Sequence, residues 1–85
     1  MSTVRLRMWG SLREATGARS AEVSASTLAE ALHEIRRRYP SRRVAAILDV
    51  CSVMVDEKPV HGDDPGAVTL GDAAVVDLLP PFAGG

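Results

Sequence analysis

Thr27-Leu-Ala-Glu-Ala-Leu-His-Glu-Ile-Arg-Arg-Arg-Tyr-Pro40 carries the strongest structural pattern in this 85-residue chain. Leu28, Ala31, Leu32, Ile35 and Tyr39 recur at helical spacing and form one apolar stripe. Thr27, with Glu30 three residues later, makes a capping-box pattern that starts the helix. Arg36, Arg37 and Arg38 fall in its last turn, where cations offset the negative end of the helix dipole, and Pro40 ends it. A helix that is apolar along one side cannot bury that side alone. The rest of the chain must therefore supply a sheet for it to cover.

Upstream, Thr3 to Trp9 alternates with period two. Val4, Leu6 and Met8 point one way; Thr3, Arg5, Arg7 and Trp9 point the other, which predicts a half-buried strand. Gly10-Ser11 and Gly17 predict a loop or hairpin between them, and Ser20 to Ser24 a short second strand with Ala21 and Val23 inward. Downstream, Val44 to Leu48 reads as a short helical turn, Cys51 to Val55 as a strand, and Asp56 to Pro59 as the turn after it. Val60 begins a brief edge strand, and His61 to Gly66 is dense in turn formers. Leu70-Gly71-Asp72 marks a turn before a final strand, Ala74 to Leu79, in which Ala74, Val76 and Leu78 oppose Val75, Asp77 and Leu79. Pro80-Pro81 then stops regular structure. The expected architecture is α+β, a mixed sheet with one main helix packed across one face, occupying residues 1–79 and followed by an extended tail, 80–85.

Composition agrees with a single folded domain. Hydrophobic residues make up 46% and charged residues 25% of the chain, unlike a disordered polymer. No apolar run approaches the roughly 20 residues of a membrane-spanning helix, and the N-terminus lacks a signal-peptide stretch. One cysteine, Cys51, excludes an intramolecular disulfide framework and fits a reducing compartment, so a soluble cytoplasmic protein is expected. Residues 1–43 hold nine arginines against four glutamates, whereas residues 44–85 hold one lysine against seven acids. The net charge is −1, so the two halves are expected to neutralise each other on folding rather than present a field for nucleic acid.

Self-contained catalytic chemistry is scarce. The only histidines, His33 and His61, are remote in sequence from Cys51, and a zinc site of the Cys₂His₂ kind is impossible. No bound cofactor or metal is expected. Cys51 flanks an apolar strand and reads as an inert, buried thiol. The distinctive feature is the end, Leu79-Pro80-Pro81-Phe82-Ala83-Gly84-Gly85. Two prolines favour an extended path away from the body. Two side-chain-free residues let another protein's backbone close around the terminal carboxylate.

With its context, this tail resembles the MoaD/ThiS family of ubiquitin-like sulfur carriers, and among them the MoaD group, small subunits of molybdopterin synthase. The likeness covers nearly the whole chain. Val4 to Gly17 resembles the family's first strand and following Arg-Glu…Gly segment, Thr27-Leu-Ala-Glu-Ala-Leu32 its helix opening, and Leu79 to Gly85 its terminal motif. Leu70-Gly-Asp72 resembles its Asp-Gly-Asp turn, with Leu70 in place of the first acid. The fold so implied is the β-grasp.

The chemistry so implied begins at Gly85. A free carboxylate is a poor acyl donor, so a ubiquitin-activating-type adenylating enzyme (MoaB- or ThiF-like) would use ATP to adenylate it. A sulfur donor would then displace AMP and leave a thiocarboxylate. The loaded tail would enter a MoaE-like large subunit and deliver sulfur to a pterin precursor of molybdenum cofactor. This chain would be the sulfur-carrying, non-catalytic subunit, with no nucleic acid and no membrane among its partners. The same tail also suits a carrier for thiamin or cysteine biosynthesis, or a ubiquitin-like modifier conjugated through Gly85. Gly84 is expected to be sterically restricted where the tail threads into its partners. In the β-grasp the first and last strands are neighbours. Trp9, Val75 and Leu79 would then form a partner-binding patch on the helix-free side, extended by Phe82 with Pro59 at its edge. The opposing expectation is that Trp9 and Phe82 fold back over the small core.

Overall fold

The computed structural model describes residues 2–62 and 64–81. Five strands form one mixed sheet in the order β2-β1-β5-β3-β4. Strand β1, Ser2–Met8, lies antiparallel to β2, Ser20–Ala25, with Val4 opposite Val23 and Leu6 opposite Ala21. On its other side β1 pairs parallel with β5, Val75–Leu79, setting Leu6 opposite Val76 and Met8 opposite Leu78. Strand β3, Ser52–Val55, runs antiparallel to β5, and β4, Lys58–Val60, closes the far edge. First and last strands are neighbours, and the chain has the β-grasp architecture expected of it.

The alternation read in β1 is what divides the two faces. Val4, Leu6, Met8, Val23, Val76 and Leu78 are buried on one side, where they meet Leu12, Leu28, Ala31, Ile35, Val44 and Leu48 from the helices. The main helix, α2, runs Leu28–Arg38. Its capping box forms as read: the Thr27 hydroxyl accepts from the Glu30 N–H at 3.2 Å, and the Glu30 carboxylate accepts from the Thr27 N–H at 3.3 Å. Arg36 reaches Asp49 at 3.1 Å and Arg37 reaches Glu34 at 2.8 Å, while Arg38 donates to the Glu22 carbonyl.

Four local expectations need correction. The Gly10–Gly17 stretch is a helix, α1 (Gly10–Thr16), and not a loop or hairpin. Its one fully buried side chain is Leu12, and a seven-residue helix offers too few repeats for periodicity to show in sequence. It ends on Gly17 in the left-handed conformation, φ 71°, whose N–H returns to the Arg13 carbonyl at 2.8 Å. The expected turn at Val44–Leu48 is a nine-residue helix, α3 (Arg42–Val50), capped by Ser41, whose hydroxyl accepts from the Val44 N–H. Among the described residues, three α-helices rather than one therefore accompany the sheet. The hairpin between β3 and β4 turns on Asp56 and Glu57 alone, both left-handed at φ 49° and 68°. Lys58 and Pro59 consequently lie in β4, an edge position where a missing N–H leaves no ladder bond unmade. Finally, the resemblance to the Asp-Gly-Asp turn hid the role of Leu70, which is a core residue only 2% exposed. Asp72 still does the work of an acid in the turn, accepting from the Thr3 N–H at 3.1 Å.

Candidate partner-binding face

Opposite the helices, the sheet presents Arg5, Arg7, Val75, Asp77, Leu79 and Met54, as the pairings Arg5↔Val75, Arg7↔Asp77 and Met54↔Asp77 require. Trp9 follows β1 directly, and continuing the parallel register by one residue sets it beside Leu79. Trp9 is 38% exposed and takes no part in the core, so it does not fold back among the buried side chains. Val75 and Leu79 are half-buried on the same face. Pro59 is exposed on β4, in line with Met54, Asp77 and Arg7 across the sheet. Phe82, Gly84 and Gly85 lie outside the described residues.

An unforeseen charge pair interrupts this apolar patch. Asp77 is 4% exposed and is the one buried polar or charged residue among those described. Arg7 grips it with two parallel bonds: Nε to Oδ1 at 2.6 Å and Nη2 to Oδ2 at 2.9 Å. The Trp9 indole N–H donates to Oδ1 at 2.9 Å. The Arg7 guanidinium holds the Asp77 carboxyl below the usual carboxylate range. It outweighs the upward push of burial, and the indole N–H acts in the same direction. Arg7 and Arg13 also stand over the Trp9 ring, 5.8 and 5.2 Å from its centroid. Arg13 is positioned for this by α1, and its Nε donates to the Met8 carbonyl at 3.3 Å. Sequence alternation put Asp77 and Trp9 on one face. Only the parallel β1–β5 register, which joins residues 70 apart, makes Arg7 and Asp77 partners.

The tail leaves from this same end. Strand β5 stops at Leu79, and a Cβ added to Gly10 would lie 4.0 Å from the Pro80 Cγ, so the Trp9–Gly10 corner abuts the first tail residue. Among the other candidates, His33 is exposed on α2. Cys51 is half-buried just past α3, and burial pushes its thiol up to about 11, which keeps it protonated and unreactive at neutral pH. Among the described residues, no helix is long and apolar enough to cross a membrane.

Known proteins place these features in a family. The chain resembles SAMP1 from Haloferax volcanii with a TM-score of 0.82, at 18% identity over 99% of this chain and 100% of the other. A chain in the complex of subunits 1 and 2 of molybdopterin-converting factor from Helicobacter pylori is 25% identical, covering 98% of this chain and 99% of that one, with a TM-score of 0.68. The BexX/CysO complex of Amycolatopsis orientalis contains a chain 22% identical over 96% of this one and 99% of its own length, with a TM-score of 0.77. No curated protein sequence matches the chain. The ThiS family model matches residues 6–85, nearly the full length and including the glycine-ended tail. The chain belongs to the ThiS family of ubiquitin-like sulfur carrier proteins.

Proposed function

We propose that this protein carries sulfur as a thiocarboxylate on Gly85, with residues 1–79 as the body, 80–85 as the tail and the cytoplasm as its compartment. The observation that supports the reading most is that the family match extends through Gly85. The chemistry is carried by the main chain. The carboxylate of Gly85 attacks the α-phosphorus of ATP in the active site of an adenylating enzyme and releases pyrophosphate. Hydrosulfide, delivered by a sulfur donor, then attacks the acyl adenylate and expels AMP, leaving the thiocarboxylate. Residues of this chain dock and aim the tail; those that activate ATP belong to the partner. The likeness to a chain in the Helicobacter pylori two-subunit complex favours molybdopterin synthase as the destination, with a MoaE-like subunit receiving the tail and a pterin precursor receiving the sulfur.

Two alternatives share the first step. The CysO likeness suits a carrier for another pathway, and the fold shared with a small archaeal modifier protein suits conjugation of Gly85 to lysines. Adenylation is tested by carrier-dependent ATP–pyrophosphate exchange. One alanine added after Gly85 moves the carboxylate beyond the reacting position and should abolish exchange without changing the melting temperature. Gly84→Val adds a β-branched side chain where the tail threads and should depress exchange with the fold intact. Full exchange by both variants contradicts the assignment of the tail.

A further inference from the structure

An open sheet face ordinarily carries solvated groups, and Asp77 is an exception: its carboxylate is covered by the two side chains it binds, Arg7 and Trp9. Such a pair is a poor device for stability, because an apolar residue of similar volume escapes the desolvation of the charge. What it does supply is orientation. The indole is tethered through its N–H at 2.9 Å and flanked by guanidinium groups 5.8 and 5.2 Å from its centroid, yet more than a third of the residue stays open to solvent. It stands at the corner that abuts Pro80, where the tail begins. A large aromatic side chain already held in one rotamer loses little freedom when a partner closes over it.

We propose that Asp77 is a positioning residue: it holds Trp9 and Arg7 as one rigid anchor at the root of the tail, and the adenylating enzyme docks on that anchor. The inference rests on the sulfur-carrier reading above. It makes the orientation of Trp9, and not its mere presence, a determinant of partner affinity.

The full chain is assayed by ATP–pyrophosphate exchange with the ThiF-like adenylating enzyme of the same organism. In parallel, time-resolved fluorescence anisotropy follows Trp9, the one tryptophan of the sequence. Asp77→Ala releases both groups. Asp77→Asn keeps the shape and an acceptor for the indole but loses the charge that holds Arg7, and it serves if the alanine variant does not fold. Asp77→Ala should increase the fast motion of the indole in the free protein, and Asp77→Asn should increase it less, through release of Arg7 alone. Both should raise KM for the carrier by roughly three- to tenfold with kcat unchanged, the loss expected from one side chain that must be immobilised on binding. In a Trp9→Ala background, Asp77→Ala should change KM by less than about twofold, since neighbours acting through one another are not additive. Unaltered indole motion, or the same KM increase with and without Trp9, overturns the proposal. If no carrier variant and no wild type supports exchange, the sulfur-carrier reading fails. The indole anisotropy then decides by itself whether Asp77 sets Trp9.

Discussion

A carboxylate held by three donors titrates as part of the fold. The folded pKa of Asp77 lies below its ordinary value because Arg7, and then Trp9, bind the charged form. The stabilisation is therefore fully present above the unfolded pKa of about 3.9 and is lost as pH falls through the lower folded value. The difference in unfolding free energy between wild type and Asp77→Asn should be constant between about pH 5 and 7 and shrink in more acid solution. A difference that grows on acidification contradicts this. Trp9→Ala should cost only about 1 kcal/mol in urea denaturation, because the ring lies outside the core and is partly solvated already. Its main effect should fall on partner association, as should that of Phe82→Ala. Unfolding of the Trp9 variant would return that residue to the core. At this scale the sequence tells which face a side chain takes but not which side chain it meets. Arg7 and Asp77 both alternate legibly, yet their bond depends on a register between strands at opposite ends of the chain.

Elements long enough to repeat their pattern are legible, and shorter ones are governed by single contacts. Helix α2 shows its stripe, cap and stop in sequence, and the structure reproduces all three. Thr27→Ala removes the hydroxyl that accepts from the Glu30 N–H and should lower stability by about 1 kcal/mol. Helix α1 was concealed because Leu12 is its one fully buried side chain and glycines at both ends read as turn formers. Gly17→Ala tests that ending. No atom within 4 Å obstructs the new methyl, so the expected loss of roughly 1–2 kcal/mol comes from the left-handed backbone alone. An alanine variant as stable as wild type, by thermal or urea unfolding, would mean that α1 closes in some other way. Helix α3 reads as a shorter turn in sequence because Arg42 and Arg43 add nothing to its apolar repeat; its start rests on the Ser41 cap. The β3–β4 hairpin turns through two left-handed residues without a glycine, so the sequence marks a turn at Asp56–Pro59 but not that two residues alone make it.

Across the whole molecule, strand order connects these parts to the tail. Strand β5 is the central strand, bonded to β1 on one side and β3 on the other, so the last regular element before the tail is clamped from both flanks. Charges distributed unevenly along the chain meet in the fold, with Arg7–Asp77 and Arg36–Asp49 each joining the basic first half to the acidic second. The architecture and family were legible because the long helix, the alternating first strand and the terminal motif are spread over the full length. The charge pair beneath Trp9 was not, for the reason of register given above. The central claim is that Gly85 bears transferable sulfur, and intact-protein mass spectrometry of the chain isolated from its own organism tests it most directly. The account predicts a population heavier by the exchange of one oxygen for one sulfur, localised to Gly85 by fragmentation and removed on incubation with a MoaE-like subunit and the pterin precursor. A chain that shows only the free carboxylate under conditions of active sulfur transfer, or isopeptide adducts through Gly85 in place of the sulfur form, contradicts it.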